Sequence, residues 1–82
     1  MQIKKIELTD EERKVLRTLA RSGAMSPGRV SAETLILPGE TLKLLKALAD
    51  AGMVVLRDDP ASADGQLVAI TGQARDFLAF EA

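Results

Sequence analysis

Residues 26–54 read SPGRVSAETLILPGETLKLLKALADAGMV. Ser26 followed by Pro27 is a helix start, with a hydroxyl to accept a first-turn amide and a proline whose fixed φ suits the first helical position. The helix it opens, running through Gly28, Arg29, Val30, Ser31, Ala32, Glu33 and Thr34 to Leu35, is barely two turns long, because Ile36-Leu37-Pro38 breaks the chain. Pro38 then opens a longer helix in which Leu42, Leu45, Leu48 and Ala49 are expected to face inward, and Gly52 closes it. A short helix, a tight turn and a longer helix is the decision this stretch makes.

Upstream, Thr9 precedes Asp10, Glu11 and Glu12, which gives a capping box and an acidic first turn at the positive end of a helix dipole. That first helix is expected to run to about Ser22, to bury Val15, Leu16 and Leu19, and to stop at Gly23. The opening QIKKIEL places Ile6 and Leu8 on alternate positions, as in a short strand or an extended lead-in. Downstream, Met53-Val54-Val55-Leu56 and Gln66-Leu67-Val68-Ala69-Ile70 are two β-type runs, separated by a Pro/Asp/Gly loop from Asp58 to Gly65, and they pair as a hairpin. Thr71 caps a last helix that carries Ala74, Phe77 and Leu78.

Composition narrows the function. A chain of 82 residues with 46% hydrophobic and 28% charged residues fits a single soluble domain over residues 1–82. There is no cysteine and no histidine, which removes Cys/His zinc sites, Ser-His-Asp triads, cysteine nucleophiles and disulfides. No glycine-rich phosphate loop and no spaced acid pair marks a catalytic centre, so the expectation is a non-enzyme with no cofactor. The absence of an N-terminal apolar segment, or of any apolar run about 18 residues long, leads to a cytoplasmic expectation. With two phenylalanines and no tryptophan or tyrosine, no aromatic platform exists for stacking single-stranded bases.

In its detailed pattern the chain resembles the MarR-like and related bacterial winged-helix regulators. The resemblance is carried by LTDEERKVLRTLARSG at 8–23, by the run from Ser26 to Val54 and above all its ending LKALADAGMV, and by the strand-to-helix joint with VAITGQARDFL at 68–78. It covers nearly the whole chain and departs at Ala74, where the family usually has glycine. It implies an α+β, mainly α fold: a winged helix-turn-helix with a three-helix core, a two-stranded wing and a C-terminal helix. It also implies that the helix from Gly39 to Ala51 is the one laid in the DNA major groove. At about 100° per residue, its outer face then presents Gly39, Glu40, Lys43, Lys46, Ala47 and Asp50. Lys43 and Lys46 suit phosphates or a guanine edge and Glu40 a cytosine amine, but no Arg, Asn or Gln stands on this helix for the commonest bidentate contacts. The same residues also read as a solvated face on which Lys and Glu partly cancel.

The net charge of −1 conceals two halves. Residues 1–30 hold seven basic and four acidic residues, residues 31–82 four basic and eight acidic. Arg13, Lys14, Arg17 and Arg21 form a basic stripe on the first helix, with Asp10 expected beside Lys14, and Arg29, Lys4 and Lys5 are candidates to extend it along a phosphate backbone or an acidic protein. The wing points the other way: Asp58, Asp59 and Asp64 outnumber Arg57 and would repel phosphates. Those aspartates lack the ligand spacing of a calcium loop, so no metal is expected. Phe77, Leu78 and Phe80 read either as core packing or as a two-fold contact that makes a homodimer. Two partners therefore stand open, double-stranded DNA held by the Gly39–Ala51 helix and the basic residues, or a protein held by the acidic wing or the basic stripe.

Overall fold

The computed structural model describes residues 8–62 and 64–81, in the order α1 (Asp10–Ser22), α2 (Pro27–Thr34), α3 (Pro38–Asp50), β1 (Val54–Asp58), β2 (Gln66–Ile70) and α4 (Gly72–Glu81). The opening segment with Ile6, Lys4 and Lys5 lies outside the described residues. Helix α1 starts where the capping box requires: the Thr9 hydroxyl accepts from the Glu12 amide at 3.1 Å, and the Glu12 carboxylate accepts from the Thr9 amide at 2.9 Å. Val15, Leu16 and Leu19 are fully buried, and they meet Val30 of α2, Leu45 and Leu48 of α3, Met53, Val68 and Ala74 in one core. Ala74, the position at which the chain departs from the resembled family, has no exposed surface, so its methyl fills space in the core.

The α2–α3 joint is tight and its polar atoms are satisfied from within. Leu35 ends α2 in the left-handed region, at φ 62°, and its amide donates to the Ser31 carbonyl at 2.9 Å. The buried Ile36 carbonyl accepts from two hydroxyls, those of Ser31 and Thr41. The Thr34 hydroxyl donates to the Val30 carbonyl at 2.7 Å. This joint corrects the reading of α3. Thr41, Leu45 and Leu48 are the buried positions, whereas Leu42 is 54% exposed. Periodicity among the leucines favoured Leu42, but the hydroxyl of Thr41 has a buried carbonyl to bond, and that turns Leu42 to the flank.

Residues 52 and 53 close α3: Gly52 adopts φ 77°, which lets the Met53 amide reach back to the Leu48 carbonyl at 2.8 Å. The first strand starts and ends later than the apolar run suggests, because Arg57 and Asp58 pair with Leu67 and Gln66 in the antiparallel hairpin. Val68 of β2 also exchanges both backbone hydrogen bonds with Met25, at 3.0 and 2.7 Å, so the wing is tied to the segment between α1 and α2. Thr71 ties α4 to the end of α3, its hydroxyl lying 2.8 Å from the Gly52 carbonyl and 3.2 Å from the Ala74 amide. No helix among the described residues is long and apolar enough to cross a membrane.

Leu35 is 87% exposed, and a left-handed conformation costs an L-residue with a Cβ roughly 1–2 kcal/mol. Leu35→Gly is therefore expected to stabilise the domain by about 0.5–1 kcal/mol, or a rise of a few degrees in Tm for a chain of this size. Thermal unfolding followed by circular dichroism checks it; an unchanged or lower Tm would show that the leucine side chain contributes to folding.

Candidate nucleic-acid interface

Helix α3 exposes Gly39, Glu40, Lys43, Lys46, Ala47 and Asp50 on its outer side, as the periodicity requires, and adds Leu42 to them. Neither Lys43 nor Lys46 has a carboxylate within 4 Å among the described residues, so the two ammonium groups stand in solvent. Pro38 at the first helical position and Gly39 after it leave the first two positions of α3 without long side chains.

Helix α2 separates this face from the basic stripe of α1. Gly28 and Glu33 lie about 140° apart around α2 at 100° per residue, and each borders a different groove. On one flank, Gly28 and Pro27 line a groove with Pro38 and Leu42 of α3 and with Asp64 and Gln66 of the wing. On the other, Glu33 lines a groove with Lys14, Arg17, Thr18 and Arg21 of α1. Arg29, exposed and one turn before Glu33, belongs to the flank of α1. Lys14, Arg17 and Arg21 are exposed and, among the described residues, without an ion-pair partner. Asp10 pairs with Arg13 at 3.6 Å, not with Lys14 as expected. The guanidinium leans back one turn, the direction helical side chains take.

The wing gives its aspartates separate tasks. Asp59 accepts from the Ala61 amide at 3.1 Å and its backbone pairs with Gly65 and Ser62, so it shapes the loop. Asp64 reaches across to α2, where its carboxylate accepts from the Gly28 amide at 2.6 Å. A Cβ on Gly28 would lie 2.6 Å from that oxygen, so glycine is what admits the carboxylate. The contact is electrostatically sound, an anion on a free amide at the positive end of a helix. It escaped the sequence reading, which weighed Asp64 as a charge that repels phosphate, as a calcium ligand and as part of an acidic protein-binding wing; a glycine inside the first turn of a helix was the available signal of close approach. Asp58 is exposed. Among the described residues no group of three or more acidic side chains is arranged to hold a metal ion.

At the far end, Phe77 and Leu78 are half-buried against the core, while Phe80 is 91% exposed. Both readings of this apolar set thus have a residue in their favour.

No protein-family model and no curated protein matches the chain. Solved structures do. The backbone is similar to BpsR of Bordetella bronchiseptica, whose DNA binding is regulated by 6-hydroxynicotinic acid, with 26% identity and a TM-score of 0.84, covering 90% of this chain and 53% of that one. It is similar to a MarR family transcriptional regulator from Streptomyces coelicolor, with 23% identity and a TM-score of 0.78 over 89% of this chain and 51% of the other. A MarR family transcriptional regulator from Silicibacter pomeroyi gives 18% identity and a TM-score of 0.78 over 87% and 48%. The fold is the MarR-type winged helix. The chain spans about half the length of these structures. Within the winged helix, α2 and α3 form the helix-turn-helix and β1 and β2 the wing, with a carboxylate of the wing on the first turn of α2.

If Asp64 holds the wing there, Asp64→Ala will expose the Gly28 amide. Hydrogen exchange at Gly28 is expected to speed up by roughly an order of magnitude while exchange in the core of α1 stays as it is. Equal Gly28 exchange in both proteins would show that the carboxylate does not hold the amide in solution.

Proposed function

We propose that the chain is the DNA-binding domain of a transcription regulator, acting in the cytoplasm as a binder and not as a catalyst. The observation that carries this reading is the outer face of α3, where Lys43 and Lys46 stand unpaired beside Glu40 on a MarR-type winged helix. In such a fold the helix enters the major groove and its first turns meet base edges. Lys43 and Lys46 then take phosphates or a guanine edge and Glu40 accepts from a cytosine amine. Gly39 and Ala47 let the duplex come close. Asp64, held on α2, and Asp58 give the wing no attraction for phosphate, so the binding energy comes from the helices. Arg29, on the α1 flank of α2, and the α1 stripe of Arg13, Lys14, Arg17 and Arg21 supply a second, sequence-independent hold on the backbone.

Phe80, exposed beside Phe77 and Leu78, supports a homodimer through α4, which would set two copies of α3 on one duplex. BpsR, whose DNA binding answers to a small aromatic acid, supports the reading of a DNA binder but lends no effector to this chain.

One observation favours the rival reading of a protein-binding module. Lys14, Arg17 and Arg21 of α1 line a different groove from the one beside α3, so a partner with an acidic surface is able to take them without entering the α3 groove.

Fluorescence anisotropy on labelled duplex DNA at about 50 and about 200 mM salt separates the two, since each phosphate contact contributes a slope of roughly −0.9 to log K against log salt. Lys43→Glu is expected to weaken binding at least about tenfold, and Arg17→Ala to weaken it equally for all sequences and to lower the slope by about one. Wild-type binding unmoved by Lys43→Glu would remove α3 from the interface. An unmoved slope in Arg17→Ala would leave the stripe to a protein partner.

A further inference from the structure

Two residues of α3 are not required by the core. Leu42 is 54% exposed, although Thr41, Leu45 and Leu48 already supply the buried side of the helix. Gly39 stands in the first turn, where glycine weakens a helix, yet its φ is not in the left-handed region and a Cβ there would meet nothing within 4 Å. Leu42 borders the groove with Pro27 and Pro38 but stands outside the core, and backbone conformation does not require glycine at 39. The two are neighbours: they are three residues apart on one side of α3, and helical side chains lean toward the N-terminus, which brings Leu42 over Pro38 and Gly39, the two positions before Glu40. Lys46, one turn on, borders the same side. The result is an apolar side chain beside an uncovered stretch of backbone, flanked by cations, in the half of the helix that meets base edges.

We infer that Leu42 packs against the C5-methyl group of a thymine, with Gly39 giving the base pair room to reach it. The inference rests on the DNA-binding reading above and adds to it a base preference. The chemistry leaves one candidate for an apolar reader: in the major groove the thymine methyl is the apolar group that base edges present. The alternative of a guanine or adenine read by a bidentate side chain has no residue to perform it, because α3 holds no Arg, Asn or Gln. Lys43 and Lys46 supply attraction without bidentate geometry, so discrimination falls to shape and to this methyl contact.

The test uses the 82-residue chain and duplexes enriched by it from a random pool, each prepared once with thymine and once with uracil, which differs from thymine by that methyl. Burying one methyl group corresponds to about a fourfold change in affinity. Wild type is expected to bind the thymine duplexes about fourfold more tightly than their uracil copies. Leu42→Ala is expected to melt as wild type does, to bind duplex DNA still, and to lose the preference. Gly39→Ala, which leaves the fold and the lysines in place, is expected to weaken binding to the thymine duplexes and to shrink the preference. Equal binding of thymine and uracil duplexes by wild type, or a full preference retained by Leu42→Ala, overturns the inference and leaves DNA binding standing. Failure of wild type to bind any duplex overturns both.

Discussion

The buried carbonyl of Ile36 holds the molecule in its working shape. It sits where the chain leaves α2 and has not yet entered α3, outside the hydrogen-bond ladder of either helix. Hydroxyls from Ser31 and Thr41, one from each helix, donate to it. A buried carbonyl without a partner would be costly, and two donors from two helices make the remedy also a clamp on the angle between them. The clamp settles which side of α3 faces the core: Thr41 turns inward, and Leu42, Lys43 and Lys46 are carried to the surface. The left-handed Leu35 is the local strain accepted for so short a joint.

The second constraint is the attachment of the wing. Met25 pairs with Val68 midway along the hairpin, and Asp64 takes the Gly28 amide nearer its tip. Between them they hold β1 and β2 against the start of α2, and an amide at the end of a helix offsets one carboxylate of an otherwise acidic loop. Charge is thereby sorted by element. The unpaired lysines of α3 and the basic stripe of α1 occupy opposite flanks of α2, while the wing contributes no net positive charge near either. A chain with a formal charge of −1 thereby keeps a cationic stripe on α1, while the outer face of α3 sets Lys43 and Lys46 against Glu40 and Asp50.

Much of the fold was legible in local signals. The Thr9–Glu12 capping box, the Ser26-Pro27 start, the Pro38 break, Gly52 and the two β-type runs each act within a few residues, and the structure places an element boundary at or near each of them. What could not be read depends on partners distant in sequence. The inward turn of Thr41 requires the Ile36 carbonyl, which a count of leucines at helical spacing does not weigh. The extension of β1 through Arg57 and Asp58 comes from pairing with Leu67 and Gln66, against their polar character. The Asp64–Gly28 contact spans 36 residues, and only the oddness of a glycine in a helical first turn hinted at it. Of the candidate site, the exposed α3 face followed from periodicity. That α2 stands between that face and the α1 stripe did not, because the relation between three helices is a tertiary fact.

Helix α3 is the surface proposed to meet DNA. The most direct measurement is an amide chemical-shift titration of the isotopically labelled chain with duplex DNA at low salt. The largest shifts are expected at Gly39, Glu40, Lys43, Lys46 and Ala47, with smaller ones at Arg17, Arg21 and Arg29 and none in β1. A spectrum that does not respond to duplex, or one whose shifts gather on α4 or the wing while α3 stays still, would contradict the account.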